Sequence, residues 1–401
     1  MIHADKVILL ILLSAVTVVA RIHYPEEHHL SNIRQLTFGG QNAEGYFSFD
    51  GSWLTFQASG IPEYGTSCDQ IYKLDLTIPP NKQIPKRIST GEVCLEANTV
   101  VFNLGIGVCT CSYFYPDNLH LIYASTFQQA KFNSSDIAQS CPTKTCQTER
   151  AKTDPLLKQL CNTTYTWDLF PEYDIFKVNE FGSFVSRLTD TPGYDAEGAV
   201  SPDGKYIVFT SIRSGDPEIW IMNSDGTEPK QLTSELGYDG GPFFSPDGTK
   251  IVFRASRPKT AEEIKKYKDL LSYNLVSPLE MELYTINING SGLRKITSLG
   301  GSNWAPFYMP DNRRIIFSSN FNETGGHFGA FNLYIVDEMG QNIERVTFNE
   351  GGFDAFPMFD RSGRHLIWSS SRNGRSRTDL NIFIGDWTEI HKSIENSLKK
   401  V

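Results

Sequence analysis

Short runs of β-branched and aromatic residues recur along the chain, and each follows a turn sequence of the Ser-Pro-Asp-Gly type. The turn is complete at residues 201–204 and 245–248. Shorter forms of it occur at residues 49–51, 116–118, 310–312 and 360–363. Because Asp-Gly between two such runs is typical of a β-hairpin, the pattern predicts six hairpins.

Each unit contains further strands after its turn. The first strand covers residues 53–56, 120–123, 206–209, 250–253, 314–317 and 365–368. A second run lies at residues 70–72, 174–176, 218–220, 282–284, 332–334 and 381–383. A short closing strand ends most units, at residues 87–89, 187–189, 231–233, 295–297 and 345–347. Together with the strand before the turn, the pattern predicts four strands in each unit.

The shortest repeat, from Ser201 to Ser245, is about 44 residues long, which is the length of one four-stranded propeller blade. Such blades bury both sheet faces only by stacking on their neighbours. The sixth unit lacks a closing strand, whereas residues 34–37 form an unassigned strand before the first unit. We therefore predict an all-β fold, a six-bladed propeller over residues 32–390, in which the N-terminal strand completes the last blade and covers its edge.

Two units are longer than the others and predict insertions at residues 128–167 and 257–278. In the first, Thr153-Asp154-Pro155 predicts the start of a short helix, and we expect a disulfide-stapled loop that shields a blade edge rather than a recognition loop. In the second, a capping box at residues 260–263 precedes apolar residues at helical spacing. We expect that apolar stripe to pack on the propeller.

The N-terminus has the pattern of a signal peptide over residues 1–20. Lys6 precedes an apolar run at residues 7–20 that ends in small residues. This run is shorter than the 18 or so apolar residues that a membrane-spanning helix needs, and no other segment is long enough. We expect a secreted, extracellular protein (periplasmic in a bacterium) with an N-terminal segment at 21–31, a tail at 391–401, no membrane span in the mature chain, and a monomeric state.

The formal net charge of −9 and the lack of a basic stretch argue against a nucleic-acid partner. An acidic surface favours cationic or neutral ligands instead. Four Asn-x-Ser/Thr triplets, which are glycosylation acceptors only in a eukaryotic host, lie in predicted loops or insertions. They begin at Asn133, Asn162, Asn289 and Asn322.

Seven cysteines in an exported chain predict disulfides, and the odd number leaves at least one thiol free or intermolecular. Cys141 and Cys146 are close in sequence and form an attractive local pair, although spacing alone does not determine the connectivity. The alternative is a zinc site built from Cys109 and Cys111 with Cys141 or Cys146. The histidines show no metal-ligand spacing, and His28-His29 falls in a segment expected to be mobile.

One position lies six residues before each turn serine or its equivalent. It holds Asn42, Cys109, Asp195, Asp239, Asn303 and Asp354. Equivalent positions in stacked blades form a ring, here expected near one mouth of the central channel, with Glu44 and Glu197 two residues further on. Carboxylates confined there favour a cationic ligand, a divalent cation as a possible cofactor, or a shared proton. The alternative is that these side chains bond to the adjoining loops.

Arginines follow the second strand of several units, and Arg254 lies within one. They could offset the channel carboxylates or clamp an anionic substrate. The ordinary alternative is a salt bridge between blades.

The Ser-Pro-Asp-Gly turn, the Ile-Val-Phe-x-Ser run and the closing Arg-Leu-Thr resemble the repeats of TolB-type β-propellers, a Trp-Asp-40-like class of periplasmic and secreted proteins. The sequences at residues 194–197, 238–241, 255–258 and 353–357 resemble a single-propeller bacterial subgroup. The resemblance covers nearly the whole mature chain and implies the six-bladed fold. TolB itself has an additional N-terminal domain and binds an envelope lipoprotein, so we do not expect a role in that complex.

Two functions fit the sequence. The first is a non-catalytic secreted scaffold that binds a protein, peptide or glycan through rim loops and the channel mouth. The alternative is a channel-centred hydrolase or lyase that uses carboxylates such as Asp195, Glu197, Asp239 and Asp354, with or without a divalent cation. Because the chain contains no Gly-x-Ser-x-Gly elbow and no phosphate-binding loop, we favour the scaffold.

Overall fold

The computed structural model describes residues 22–89, 93–95, 99–101, 106–128, 141–322, 329–376 and 378–389. The predicted signal peptide, the tail at 391–401 and Asn133 lie outside the described residues.

Strands make up most of the described chain. The first fourteen are β1 (Leu30–Gln35), β2 (Gln41–Phe47), β3 (Trp53–Gly60), β4 (Thr66–Asp75), β5 (Lys86–Arg87), β6 (Val93–Leu95), β7 (Thr99–Val101), β8 (Cys109–Phe114), β9 (His120–Ser125), β10 (Trp167–Asp168), β11 (Asp174–Asn179), β12 (Phe184–Arg187), β13 (Asp195–Val200) and β14 (Tyr206–Ser211). The others are β15 (Glu218–Asn223), β16 (Lys230–Gln231), β17 (Asp239–Phe244), β18 (Lys250–Ala255), β19 (Leu275–Val276), β20 (Glu282–Asn287), β21 (Arg294–Lys295), β22 (Asn303–Tyr308), β23 (Arg314–Ser319), β24 (Asn332–Asp337), β25 (Glu344–Arg345), β26 (Asp354–Phe359), β27 (His365–Ser370) and β28 (Asn381–Trp387).

The described helices are short. They are α1 (Ile61–Tyr64), α2 (Glu149–Thr153), α3 (Pro155–Thr163) and α4 (Ala261–Leu271), with 3-10 turns at Pro80–Lys82 and Thr145–Gln147.

Six four-stranded antiparallel sheets form the blades of a propeller, as the repeat predicts. In order from the channel outward, blade 1 is β2-β3-β4-β5, blade 2 is β8-β9-β11-β12 and blade 3 is β13-β14-β15-β16. Blade 4 is β17-β18-β20-β21, blade 5 is β22-β23-β24-β25 and blade 6 is β26-β27-β28-β1. The N-terminal strand therefore completes the last blade, and this prediction is confirmed: Leu30 pairs with Trp387 and Gln35 with Phe383.

The repeated turn has a clear local chemistry. In blade 3, the Ser201 hydroxyl donates to Asp203 at 2.7 Å and accepts the Tyr206 backbone N–H at 3.0 Å. Gly204 closes the turn at φ 73°, a left-handed conformation that glycine adopts without a steric penalty. The serine hydroxyl, held by the aspartate, thus accepts a backbone N–H group within the turn.

Aromatic pairs across the second and third strands fill the middle of the blades. Phe56 stacks on Tyr72 at 5.9 Å between ring centres, and Phe253 stacks on Tyr284 at 5.8 Å. Such cross-strand aromatic contacts add to the gain from burying the rings. The β-branched and aromatic runs of the sequence therefore form the interior of the sheets.

The segment before β1 is firmly attached, so the expectation of mobility around His28-His29 is wrong. Glu27 is completely buried and forms an ion pair with Arg372, which also binds Asp354 at 2.7 Å. The His29 ring stacks on Trp387 at 4.5 Å and bonds to Glu344 at 2.8 Å. A buried ion pair holds this segment because separating the charges would leave one of them without a partner.

The two insertions pair with each other. Strand β10 of the first insertion and β19 of the second form a two-stranded sheet. Leu157 and Leu160 of α3 pack with Leu270 of α4 in one apolar cluster. The apolar stripe of α4 therefore packs partly on the first insertion, whereas Tyr267 and Leu271 pack on the large cluster of blades 2 to 4.

The predicted disulfide between Cys141 and Cys146 is wrong. Cys141 pairs with Cys68 of β4, and Cys146 pairs with Cys161 of α3. Cys146 lies in a 3-10 turn that packs on α3, whereas Cys141 lies beside blade 1, so a local bridge would pull the two ends of this stretch together.

Candidate functional site

The predicted ring of six polar residues is buried inside the blades and does not line the channel cavities. Arg213 donates to Asp195 at 2.8 Å, Arg257 pairs with Asp239, and Arg372 pairs with Asp354. These contacts correct the expectation of a carboxylate cluster that faces the channel. Each arginine lies two residues beyond the second strand of the same blade, so the pairs join the inner strand to the next loop.

The other ring positions have similar structural roles. Asn42 donates to the backbone carbonyl groups of Gly39 and Leu380 at 2.9 and 2.8 Å. Asn303 accepts the Ser319 hydroxyl at 2.6 Å. Burial raises the pKa of the Cys109 thiol to about 12, so this cysteine is an uncharged core residue.

A second carboxyl, which the sequence pattern did not single out, accompanies Asp239. Glu218 is buried and accepts the Thr233 hydroxyl at 2.5 Å. Burial, together with the proximity of Asp239, raises the pKa of Glu218, and burial also raises that of Asp239. Burial of both carboxyls beside the single charge of Arg257 therefore favours their protonated forms.

The channel-facing residues lie two positions after the ring. Every inner strand has a register shift here, between Ala196 and Ala199 in blade 3 for example. The residue within each bulge has a positive φ, and the six are Glu44 (54°), Cys111 (50°), Glu197 (57°), Gly241 (58°), Ala305 (48°) and Phe356 (56°). A bulge redirects one side chain and disturbs the simple alternation along the strand. All six of these residues line one small inner cavity of about 20 Å³.

Blades 3 and 4 are bridged in this cavity. Arg254 donates from Nη2 to Glu197 Oε1 at 2.5 Å and to the Tyr238 hydroxyl at 2.8 Å. Glu197 also accepts the Thr210 hydroxyl and the Gly241 N–H, both at 2.7 Å. The prediction of a salt bridge between blades is therefore confirmed for Arg254.

Glu44 lies in the same cavity without such partners. Its Oε2 is buried and accepts no hydrogen bond from any described residue. Burial raises the pKa of Glu44 to about 7, although the Cys111 thiol and the charge of Arg254 oppose the rise. Glu44 is the channel carboxyl whose charge changes near neutral pH.

An aromatic layer separates this cavity from the mouth formed by the Ser-Pro-Asp-Gly turns. Tyr46, Tyr113 and Phe243 contact one another across the channel, and Phe243 also contacts Phe307, with 5.4 to 6.1 Å between ring centres. Each lies four residues after a ring position. Tyr46 and Phe243 line the inner cavity, whereas Tyr113 and Phe307 line the mouth, so the four rings lie between the two cavities.

Beyond this layer, an open cavity of about 100 Å³ occupies the channel mouth. Its lining is apolar with a few polar groups, and includes Phe47, Phe49, Tyr113, Pro202, Pro246, Phe307, Pro310, Met358, Asp360 and Arg361. Arg361 takes the place that proline has in four of the turns, and its guanidinium lies 4.8 Å from the centre of the Phe49 ring. An open concave surface with an apolar wall and a few polar groups has the character of a ligand site.

The insertions reach the opposite mouth. Trp167 of β10 lies 5.1 Å from the Arg254 guanidinium and 5.4 Å from Trp304. The first insertion therefore extends over the channel through Trp167, instead of only shielding a blade edge.

Across the described ranges, no three His, Cys, Asp or Glu side chains are grouped as metal ligands. The zinc alternative is wrong because Cys141 and Cys146 are oxidised in disulfides. No helix in the described part of the chain is long and apolar enough to cross a bilayer. Three glycosylation candidates, Asn162, Asn289 and Asn322, are exposed.

Sequence reasoning missed the mouth residues Phe49, Tyr113, Phe307 and Arg361. The available signal was the repeat itself, since equivalent positions four and seven residues after the ring share one level of the channel. Aligning the six units at those positions would have revealed an apolar mouth.

Comparison with known proteins agrees with this architecture. Residues 171–276 match the TolB beta propeller domain. A stretch of 39 residues is 51% identical to the Tol-Pal system protein TolB of Bordetella pertussis, which covers 10% of this chain and only 9% of that protein.

Two solved structures resemble the fold at low identity. A protein assigned as TolB from Agrobacterium tumefaciens has a TM-score of 0.49 at 17% identity, over 87% of this chain and 91% of that chain. An oligogalacturonate lyase from Vibrio parahaemolyticus has a TM-score of 0.46 at 12% identity, over 90% and 94% of the two chains. With the matched domain at residues 171–276 and six blades of the same design, the chain is a TolB-like six-bladed β-propeller.

Proposed function

We propose that this protein is an exported, non-catalytic scaffold that binds an extended segment of a protein partner at the open mouth of the propeller. The observation that carries the proposal is the open cavity at the mouth with its wall of aromatic and proline side chains. Apolar pockets of this kind accept the anchoring side chains that dominate protein recognition. Phe49 and Arg361 at the rim supply an aromatic face and a cation beside it.

A peptide suits this mouth better than a glycan. Sugars are bound largely through hydrogen bonds to several polar side chains, and this wall offers few. The carboxylate of Asp360, the acidic group in the wall, already accepts the Ser362 hydroxyl at 2.7 Å and bonds to the His365 ring at 2.8 Å. An apolar side chain from a partner requires no such groups.

Export is supported by two features. The apolar N-terminal run has the pattern of a signal peptide. The two disulfides fit an oxidising compartment such as the periplasm or the extracellular space. In a eukaryotic host, the exposed Asn162 and Asn289 would then be available to glycosylation.

The channel-centred hydrolase or lyase has less support. Asp195, Asp239 and Asp354 bond to arginines inside their blades, so they do not offer a free acid and base to a substrate. Glu197 is engaged by four donors, and Glu44 lies behind the aromatic layer. A non-catalytic role requires none of these groups to react.

The proposal is tested by selecting peptides from a displayed random library on the purified protein. We expect enriched peptides to share one apolar residue and to lose binding at least tenfold on Phe49→Ser. The matched control is Tyr165→Ser, because Tyr165 is an exposed aromatic residue of the first insertion. If the peptides bind the Phe49→Ser variant and the wild type with equal affinity, the mouth is not the binding site.

A further inference from the structure

The inner cavity differs in chemistry from the open mouth. It holds an excess of negative charge: the carboxyls of Glu44 and Glu197 lie here with Asp69 nearby, against the one guanidinium of Arg254. The positive charge is already used, because Arg254 bonds directly to Glu197 at 2.5 Å. Glu44 therefore has no cationic partner within bonding distance among the described residues.

The backbone aims Glu44 into this space. Glu44 has a φ of 54°, a left-handed conformation that glutamate adopts at a cost, and its neighbour Gly45 lies against Ile367 and Leu54 in the sheet. Its Oε2 is buried and accepts no hydrogen bond from the described residues. Buried polar atoms without partners are rare in folded proteins and call for a bound group.

The remaining wall is aromatic. Tyr46, Phe243 and Phe356 line the same cavity as Glu44. The faces of such rings attract cations, and organic cations in particular. A metal ion would need several oxygen or sulfur ligands, and the described residues do not group three of them.

We propose that the inner cavity is a binding site for a small primary ammonium cation, of the size of ammonium or methylammonium, which donates to the carboxylate of Glu44 and lies among the rings of Phe243 and Phe356. The site goes beyond the binding of a partner at the open mouth, since the aromatic layer lies between the two cavities. It needs one free carboxylate and an aromatic wall, and this cavity has both.

The site responds to pH. Binding requires Glu44 in its charged form, and the pKa of Glu44 is raised by burial to about 7. The groups that face Glu44 are Cys111, Arg254, Glu197, Asp69 and Tyr46. Because the ammonium remains charged up to about pH 9, binding of the cation strengthens as pH rises through 7 and weakens below it.

The experiment is a thermal-unfolding titration of the purified protein at pH 8 with methylammonium chloride, compared with sodium chloride and tetramethylammonium chloride at equal concentration. We expect methylammonium to raise the Tm above both comparison salts, because neither sodium nor tetramethylammonium has an N–H group that could donate to Glu44. Glu44→Gln should weaken the effect at least tenfold. Glu350→Gln, which removes an exposed carboxylate, should leave it unchanged.

A stabilisation by methylammonium that equals that of sodium chloride overturns the proposal, and so does an equal response in Glu44→Gln. If that variant does not fold, the wild type still decides: the methylammonium effect should fall by about half near pH 7. A profile that is flat between pH 6 and 8 contradicts the site. Neither result bears on peptide binding at the open mouth, which is measured separately.

Discussion

Arg254 of blade 4 reaches across the channel to Glu197 of blade 3, and 2.5 Å separates its Nη2 from the Glu197 Oε1. Both side chains are about nine-tenths buried. The contact joins two blades at the level where the inner strands bulge, and the buried Oε2 of Glu44 accepts no hydrogen bond from the described residues.

Removing the arginine should destabilise the propeller. Arg254→Ala leaves Glu197 buried without its cation, which we expect to lower the free energy of unfolding by about 3 kcal/mol. The measurement is urea denaturation followed by tryptophan fluorescence. Arg361→Ala removes an exposed arginine from the mouth and should cost well under 1 kcal/mol. Equal losses in the two variants would contradict the structural role of the bridge.

The N-terminal segment should contribute strongly to stability. Glu27→Gln replaces the anion of the completely buried contact with Arg372, and we expect a loss of about 3 kcal/mol and faster proteolysis near residue 27. Glu26→Gln is the control, because Glu26 is exposed. A Glu27→Gln variant as stable as the wild type would mean that this segment does not hold the ring together.

The disulfide pairing can be read by peptide mapping under non-reducing conditions. We expect linked peptides that contain Cys68 with Cys141 and Cys146 with Cys161. Cys146→Ser with Cys161→Ser should cost about 3 kcal/mol in the insertion, since that bridge closes a loop of 15 residues. A linked Cys141–Cys146 peptide would contradict the structure.

Glu44 should make stability depend on pH. Its folded pKa of about 7 exceeds the ordinary 4.5, so the folded state binds the proton more tightly than the unfolded state. The stabilisation is complete below pH 4.5 and is lost as pH rises to about 7, by on the order of 3 kcal/mol. Glu44→Gln should therefore match the wild type at pH 5 and exceed it at pH 8.

Urea denaturation at both pH values measures this difference. Comparing the two proteins at each pH removes the contribution of Glu218 and Asp239, which titrate in both. A wild type that is more stable than Glu44→Gln at pH 8 would show that Glu44 has a charged partner after all.

The fold was largely predictable because its signals are local. A serine and an aspartate that bond within their own turn, as Ser201 and Asp203 do, are visible in four residues. The closure of the ring followed from counting strands, since the sixth unit lacked its closing strand and the strand at residues 34–37 belonged to no unit. Both features can be recognised in a single sequence, because they follow from the repeat itself.

The site was predicted only in part: Glu44 and Glu197, which were among the predicted channel residues, line the inner cavity, whereas the ring residues two positions before them do not. Asp195 starts its strand as expected, but the bulge after Ala196 turns Glu197 and not Asp195 toward the channel. A bulge inserts one residue without changing the polar and apolar pattern enough to be recognised. The pairing of Cys141 with Cys68 could not be predicted either, because 73 residues of folded chain separate them.

The open mouth as the binding site is tested most directly by photo-crosslinking a selected peptide to the protein with benzoylphenylalanine at defined positions. In one variant the probe replaces Pro246 in the wall of the mouth, and in the other it replaces Tyr165 on the insertion. We predict a crosslink to the peptide from position 246 and none from position 165. A crosslink from position 165 alone would place the ligand on the insertion and contradict binding at the mouth.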